Sequence, residues 1–316
     1  MEWISKQDWI DDEAPQRLRW LREQLIRLQK HVEMTNKDVL NSIGADGRCP
    51  ALHMAADYGI NLMVEYLLSK GANVNSKMQG SFSGVPIAGV TPLFVAAIFG
   101  HVDIAETLVN HGADVKIMIK GFNLLSAAVM SNNPSMIEMV LNLKFNIDDY
   151  DPEGRTALMV AVKFNMDKSV KFLLDKGADY DICTPRKPRF PPFNPLLVDA
   201  VRCANGCCEI LLNLLQHMKE KEGTEKLKKY VNTLDPVDGV APLHAACALH
   251  NYTAVRILLE YGADFETESR DGYKPENYLP LHKDPSAKDT LDLIQECRQK
   301  KARQTAALYR QYLLNS

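Results

Sequence analysis

The sequence predicts an all-α repeat solenoid, because one short phrase recurs along the chain and an apolar pattern of helical spacing follows each copy. Self-similarity with a period of 20–50 residues is the signature of repeat architectures, so this recurrence decides the fold class. The phrase centres on a leucine that precedes a pair of small or apolar residues. Its copies lie at Leu52, Leu93, Leu125, Leu158, Leu196 and Leu243. Several of them close with Gly-Ala-Asn or Gly-Ala-Asp, at Gly71, Gly112, Gly177 and Gly262.

Each copy is typical of two short helices joined by a tight turn and followed by an extended finger. The small pair Ala55-Ala56 lets neighbouring helices approach closely, and the pair Leu67-Leu68 supplies a buried ridge. Gly71 then ends the second helix where a positive φ is needed. One such unit cannot bury its apolar face alone, so the copies are expected to stack.

These linked motifs resemble those of the ankyrin-repeat family. The family unit carries T-P-L-H-x-A-A, then G-H, then a paired-leucine helix and G-A-D-x-N, and the resemblance covers about residues 46–282. It implies a solenoid of helix-turn-helix units, each with a β-hairpin finger. It also implies a concave surface that holds another protein or a peptide segment.

The repeat divides the chain into three parts. Residues 46–282 form the predicted repeat domain, and residues 1–45 form an N-terminal helical capping segment with all three tryptophans. Residues 283–316 form a C-terminal helical extension, with a long helix expected over 286–314. Both extensions are expected to cap the ends of the stack.

Three spacings between the key leucines exceed the period of about 33 residues of an undecorated unit. They run from Leu52 to Leu93, from Leu158 to Leu196 and from Leu196 to Leu243. Insertions on a repeat scaffold tend to lie on one face, which is often the binding face. The sequence therefore predicts long fingers near 76–90, 183–194 and 216–237, the last of them a charged spacer.

The composition indicates a folded protein and excludes several partner classes. The chain is 46% hydrophobic and 24% charged with a formal net charge of −3, so it lacks the basic excess of a nucleic-acid-binding protein. No stretch approaches the roughly 18 apolar residues of a membrane span. The acidic and polar N-terminus lacks the apolar run of a signal peptide. The seven cysteines show no disulfide spacing, so we expect free thiols in an intracellular protein, cytoplasmic or nuclear. We also expect the protein to be monomeric on its own.

No motif for catalysis, cofactor binding or metal binding is found in the sequence. His53 and His244 occupy the histidine position of the repeat phrase, which in the family is structural and joins fingers to helices. A possible metal cluster is formed in the sequence by Cys203, Cys207 and Cys208. However, these cysteines align with turn and packing positions of the repeat, and no second cysteine pair or nearby histidine completes a set of four ligands. We therefore predict no catalytic residue, no cofactor and no metal.

In the family, the two positions after the small pair face the concave groove. Aromatic residues and arginine are enriched at interface anchors, and these positions carry several of them. The alternative is that some of these side chains pack against their own fingers. The predicted partner-binding residues on the first helices are Asp57, Tyr58, Ile98, Phe99, Met130, Lys163, Phe164, Arg202 and Leu249. Those on the fingers are Phe82, Arg186, Lys187, Arg189 and Phe190.

The leading functional hypothesis is a non-catalytic adaptor or scaffold. A second is the substrate-recognition subunit of a ubiquitin ligase, because some ankyrin proteins carry a C-terminal SOCS box. Leu293 and Cys297 match its L-x-x-x-C spacing, whereas Asp292 and Lys301 depart from its pattern. A third hypothesis is an effector enzyme with an unrecognised active site in the terminal segments.

Overall fold

A computed structural model gives the fold of two compact units, residues 1–120 and residues 121–316, which are described separately. The residues that the structure describes are 50–78, 89–180, 196–203, 208–235, 239–279 and 285–315.

In its described part, the first unit contains two helix pairs. They are α1 (Ala51–Asp57), α2 (Asn61–Ser69), α3 (Pro92–Phe99) and α4 (Val102–Asn110). Helix α1 packs against α3, and α2 packs against α4. This close approach is possible because Ala56, Ala96 and Ala97 are completely buried between the helices.

Local sequence sets where these helices begin and end. The Thr91 hydroxyl accepts a hydrogen bond from the Phe94 N–H at 3.4 Å, and Pro92 occupies the first turn of α3. Both features favour a helix start, since a threonine N-cap satisfies a free N–H and proline needs none there. Gly100 ends α3 with φ 75°, a left-handed conformation that a residue without Cβ adopts at little cost.

The second unit repeats the same arrangement. Its helices in the described residues are α5 (Leu124–Met130), α6 (Pro134–Asn142), α7 (Ala157–Lys163), α8 (Asp167–Asp175), α9 (Leu196–Arg202), α10 (Glu209–Val231), α11 (Pro242–Ala248), α12 (Tyr252–Glu260) and α13 (Pro285–Asn315), with a 3₁₀ helix at Pro275–Tyr278. The first helices of the repeats pack side by side in the order α5, α7, α9 and α11. The second helices α6, α8, α10 and α12 pack in the same order. The predicted all-α repeat fold is therefore confirmed.

No described residue belongs to a β-strand, and backbone hydrogen bonds close the fingers at their described bases. Two backbone hydrogen bonds close each of the turns at 151–155 and 269–273. The N–H of Asp151 donates to the carbonyl of Arg155 at 2.8 Å, and the N–H of Ser269 donates to the carbonyl of Tyr273 at 2.8 Å. Each turn reverses the chain within five residues, which leaves no length for a ladder of paired strands.

Asparagine side chains explain the recurring Gly-Ala-Asp ending. Asn75 donates from Nδ2 to the carbonyl of Gly112 at 3.1 Å and accepts at Oδ1 from the N–H of Asp114 at 2.7 Å. Asn232 makes the same two bonds, to the carbonyl of Gly262 and the N–H of Asp264. One amide thus satisfies backbone groups at the helix end of the following repeat.

The charged segment predicted as a finger at 216–237 is helical through Val231, so this prediction was wrong for most of its length. Glu, Lys and Leu are strong helix formers, and Leu227 and Val231 recur at i, i+4 and are buried. Gly223, with φ 77° and ψ 174°, separates this stretch from the first part of α10. The charged residues that suggested a solvated spacer form ion pairs, such as the pair between Glu222 and Lys226.

Helix α13 lies against the last repeat, where the sequence predicts a helix over 286–314. Ala287, Thr290 and Ile294 form its buried stripe, and Arg298 pairs with Glu266 at 2.9 Å. The predicted capping segment 1–45 lies outside the described residues, as do most of the first long finger and all of the second.

A glycine substitution tests the finger geometry at the last repeat. Gly239 has φ 66°, and a Cβ there would collide with the Cβ of Arg270, whose N–H donates to the Gly239 carbonyl at 2.8 Å. Gly239→Ala is expected to lower the free energy of unfolding by about 3 kcal/mol, from backbone strain plus overpacking. Urea denaturation would measure the loss. Gly272→Ala, with φ 79° but open space around it, should cost only about 1 kcal/mol. Equal losses for the two variants would refute the predicted collision.

Candidate protein-binding site

The candidate site consists of the side chains at the ends of the first helices, directly after their buried alanine pairs. In the first unit these are Asp57, Tyr58, Ile98 and Phe99. Tyr58 is 36% exposed and the others are half-buried. The helices end at these residues, so their side chains leave the packed interface between neighbouring helices.

His101 organises this end of the first unit. Its Nε2 lies 3.1 Å from the Asp57 carbonyl oxygen, and its ring stacks on Phe99 with 6.3 Å between ring centroids. It also fills the space beside Gly59, where an added Cβ would lie 2.7 Å from the imidazole Cε1. His101 thereby joins the end of α1 to the end of α3.

Asp57 carries a carboxylate in an unfavourable environment. Burial raises its pKa from 3.8 to about 6. Within the described part of the chain, no hydrogen bond or ion pair reaches this side chain. The negative charge is therefore poorly compensated.

In the second unit, Phe164 is anchored by neighbours that sequence reasoning did not identify. Its ring lies 6.1 Å from that of Phe122, and the guanidinium of Arg155 sits 4.4 Å from the centre of the Phe122 ring. Phe164 is consequently half-buried, as is Met130, whereas Lys163 is exposed. Phe164 thus packs against Phe122 and keeps part of its surface exposed.

The structure brings Arg202 and Leu249 together at one apolar recess of the second unit. The recess has a volume of about 180 Å³ and lies between the ends of α9 and α11. Leu249 is 50% exposed, and the side chain of Arg202 is 34% exposed. The recess is lined by Arg202, Val240, His244, Ala245, Ala248, Leu249 and Tyr278.

Tyr278 is the lining residue that the sequence did not assign to a site. It belongs to the segment after Asp271, which resembles a seventh repeat start and could have pointed to it. Its ring meets the imidazole of His244 edge-on at 5.3 Å. The predicted finger residues Phe82, Arg186, Lys187, Arg189 and Phe190 lie outside the described residues.

The two repeat histidines make the hydrogen bonds predicted for them. His53 Nε2 lies 2.8 Å from the carbonyl oxygen of Val90, and His244 Nε2 lies 3.0 Å from that of Tyr273. The backbone N–H of Ala241 donates to His244 Nδ1, so Nε2 carries the proton. Burial lowers the pKa of His53 to about 4 and also lowers that of His244. Both neutral imidazole rings therefore link a helix to the next finger through a hydrogen bond.

The cysteines that the structure describes are free thiols. Cys208 and Cys247 are buried, and burial raises the pKa of the Cys247 thiol to about 12. Burial, followed by the charge of Asp199, also raises the pKa of Cys203. Among the described side chains, no three His, Cys, Asp or Glu residues gather as they would around a metal ion.

Comparison with known families agrees with this repeat geometry. The family model for ankyrin repeats in three copies matches residues 21–119 and 117–183, and the model for a single ankyrin repeat matches 238–267. The chain belongs to the ankyrin-repeat family. The first match begins inside the segment that the sequence analysis assigned to an N-terminal cap.

Two curated relatives share part of this ankyrin-repeat chain. The palmitoyltransferase AKR1 of Lachancea kluyveri is 38% identical over 132 residues, which cover 40% of this chain and 17% of that protein. The human ankyrin repeat and SOCS box protein 6 is 25% identical over 190 residues, which cover 57% of this chain and 44% of that protein. The chain therefore spans less than half the length of each relative.

The fold also resembles solved ankyrin structures. The human ASB11 ankyrin repeat domain superposes with a TM-score of 0.57 at 20% identity, covering 76% of this chain and 96% of that domain. In the part of the chain with described coordinates, no helix has both the length and the apolarity needed to cross a membrane.

Proposed function

We propose that this ankyrin-repeat protein is a non-catalytic adaptor or scaffold that binds a partner protein through the ends of its first helices. The observation that carries the proposal is a repeated contrast in burial along the first helices. Completely buried alanines such as Ala97 and Ala246 are followed within a few residues by side chains that emerge from the core. This happens in both units, and the emerging side chains are largely aromatic, aliphatic or cationic.

The energetics of these side chains support a binding role. Tyr58 and Leu249 leave much of their surface in water, and burying a large apolar side chain is worth about 1.5–3 kcal/mol. A partner that covered these two side chains would gain this free energy on binding. Tyrosine is also among the residues enriched at binding hot spots.

The relatives support a non-catalytic role for the repeats. This chain is similar to part of a palmitoyltransferase and also to part of a SOCS box protein, and it spans only 17% of the former. One fold that recurs in proteins of such different names does not itself define an activity. We therefore propose that the repeats bind and need neither cofactor nor metal.

Charge and thiol chemistry support a partner class and a compartment. A net charge of −3 favours a protein partner over nucleic acid, because nucleic-acid binding relies on Lys and Arg to displace counterions. Buried free thiols such as Cys208 and Cys247 suit a reducing compartment. We propose a cytoplasmic or nuclear protein that is monomeric until it binds its partner.

Quantitative affinity capture with the full chain tests this function. Leu249→Ala is expected to melt near the wild-type temperature because Leu249 is 50% exposed, whereas Tyr58→Ala, at a residue 36% exposed, should melt somewhat lower but remain folded. At least one of them should lose a protein that the wild type captures by tenfold or more, as expected for an anchor worth about 2 kcal/mol.

Leu62→Ala is the matched control, since Leu62 is 79% exposed on α2 and lies outside the candidate site. It should capture the same protein as the wild type does. If every captured protein binds equally well to all three variants, the helix ends are not the binding surface.

The alternative role as a ligase substrate receptor is favoured by the similarity to the SOCS box protein. It would depend on Leu293 and Cys297 of α13, both half-buried, on either side of the wholly buried Ile294. The same capture experiment with Leu293→Ala distinguishes the roles. Loss of ubiquitin-ligase subunits with this variant alone would favour the alternative, whereas an unchanged set of proteins would leave the adaptor function.

A further inference from the structure

Helix α13 is attached to the last repeat by two different kinds of contact along its length. In its first part, Ala287, Thr290 and Ile294 form a buried stripe. Beyond Ile294 no described side chain is buried, and all of those from 299 to 307 are exposed. Burial therefore holds the first part of the helix, whereas the later part depends on another kind of contact.

Two cationic side chains fasten the later part to the last repeat. The Arg298 guanidinium donates through Nε to Glu266 at 2.9 Å and through Nη2 to both carboxylate oxygens of Glu276 at 3.2 Å. The Lys301 ammonium donates to the Asp264 carboxylate at 3.2 Å. Residues three positions apart are neighbours on a helix surface, so both cations reach the same part of the repeat.

The same two cations lie over the ring of Phe265, which is buried. The guanidinium carbon of Arg298 is 5.5 Å from the ring centre, and the ammonium nitrogen of Lys301 is 5.2 Å from it. A cation within about 6 Å of an aromatic face is attracted by the ring. The later part of α13 thus covers an aromatic ring that lies among carboxylates.

The carboxylates of the last repeat keep other partners if these cations leave. Glu266 also pairs with Lys274, whose hydrogen bond lowers the pKa of Glu266, with a further contribution from Arg298. The Asp264 carboxylate accepts a hydrogen bond from the Glu266 N–H at 3.2 Å. The Glu276 side chain is 24% exposed, so water can reach it. Release of the helix therefore leaves none of these three carboxylates both buried and unpaired.

Salt acts differently on the two parts of α13. Ion pairs between partly exposed side chains, such as Lys301 with Asp264, contribute little individually and are weakened by salt. Burial of apolar groups, as at Ile294, does not depend on charge. An exposed helical segment is only marginally stable by itself, because most helix stability in proteins comes from packing. Added salt should therefore free the later part first.

We infer that residues 295–307 form a strap, which Arg298 and Lys301 hold closed over Phe265. The strap opens as salt weakens the ion pairs, while the stripe that ends at Ile294 stays docked. Opening uncovers Phe265 and the carboxylates around it, so the strap controls access to a surface that the closed form hides. The strap lies in the C-terminal extension, apart from the helix ends proposed to bind the partner, so either can fail without the other.

Hydrogen–deuterium exchange of the full chain, measured by mass spectrometry, tests the strap. Raising the NaCl concentration from about 0.05 M to about 0.5 M should speed exchange of the amides at 299–307 by about fivefold or more. Exchange of the amides at 287–294 should not change. Equal acceleration of both segments would show that α13 leaves as a whole, and no acceleration would show that ion pairs do not hold it. Either result would overturn the inference.

The double variant Arg298→Gln, Lys301→Gln removes both cations. Its amides at 299–307 should exchange rapidly at low salt already and should no longer respond to added salt. Lys300→Gln is the matched control, since Lys300 is exposed on the same turn, and it should behave like the wild type. Amides at 252–260 of α12 report whether the last repeat stays folded in each variant. A folded double variant that exchanges like the wild type would contradict the strap.

Carboxyl labelling with glycine ethyl ester measures whether the surface of the repeat is uncovered. Glu276 should be labelled severalfold faster in the double variant than in the wild type at low salt. Glu106, an exposed carboxylate on α4, should be labelled equally in both proteins. Unchanged labelling of Glu276 together with faster exchange at 299–307 would show that the helix frays without uncovering this surface, and the strap would then have no such role.

Discussion

Replacing Asp57 with asparagine is expected to stabilise the protein at neutral pH and to leave its stability unchanged below about pH 4. Burial holds the pKa of the native carboxyl at about 6, against 3.8 for an unperturbed group. Above pH 6 the native state must carry a charge that it disfavours. Each pKa unit corresponds to 1.36 kcal/mol, so the gain at pH 7.5 has an upper limit of about 3 kcal/mol.

The direction of the pH dependence follows from proton binding. Between pH 3.8 and about pH 6 the folded state holds the Asp57 proton more tightly than the unfolded chain does, so wild-type stability falls as the pH rises through this window. His53 has the opposite effect. Its pKa is lowered from 6.5 to about 4, so its contribution to stability is lost as the pH falls through that range. The effect of His53 is present in both proteins and cancels in their difference.

Urea unfolding of the wild type and Asp57→Asn at pH 7.5 and just below pH 4 measures this difference. Glu106→Gln, an exposed carboxylate on α4, is the control and should change stability by no more than about 0.5 kcal/mol at either pH. A gain for Asp57→Asn that persists below pH 4 would show that the carboxylate charge is not its cause.

This prediction bears on function because Asp57 belongs to the candidate site. Proteins commonly retain destabilising groups where activity needs them. If Asp57→Asn is more stable and also binds its partner less well, the carboxylate is retained for recognition. A cationic group of the partner would compensate its charge.

The repeat phrase predicted the fold because its chemistry is local. Thr91, Pro92 and Gly100 define a helix start and a helix end from their own backbone preferences. The finger prediction for the charged stretch of α10 failed because it was based on composition alone. Leu227 and Val231 of that stretch are buried, which its charged composition does not reveal.

The candidate site was predictable in position but not in packing. The repeat register placed Phe164 and Leu249 at helix ends, which is where they lie. It did not indicate that Phe122, 42 residues earlier, lies beside Phe164, or that Tyr278 lines a recess with Leu249. Such contacts join distant parts of the chain, and without aligned relatives no pattern in one sequence points to them.

Arg155 is expected to be among the residues whose loss destabilises the second unit most. It is 6% exposed and pairs through Nη2 with Asp151 at 2.7 Å, and Asp151 has no exposed side-chain surface. Its Nη2 also donates to the Gly121 carbonyl at 3.0 Å, and its guanidinium covers the ring of Phe122. Arg155→Met would keep most of the side-chain volume but would leave the buried Asp151 carboxylate without its cationic partner.

Breaking a buried ion pair by removing one partner typically costs 3–5 kcal/mol, so Arg155→Met should lower the free energy of unfolding by about that amount. The double variant Asp151→Asn, Arg155→Met removes both charges and should recover about 2 kcal/mol of the loss. Chemical denaturation of the wild type, the single variants Arg155→Met and Asp151→Asn, and the double variant measures both values. The exposed pair Lys176–Glu138 is the matched control, and Lys176→Met should cost less than about 1 kcal/mol.

The same substitution should reach the candidate site, because Phe122 lies between Arg155 and Phe164. Once the guanidinium is gone, Phe122 is free to shift and Phe164 loses part of its support. At a temperature where Arg155→Met remains folded, we expect weaker partner binding than for Lys176→Met. Partner binding equal to that of the wild type would show that Phe164 keeps its position without Arg155. A double variant no more stable than Arg155→Met would show that the unpaired Asp151 charge is not the source of the loss.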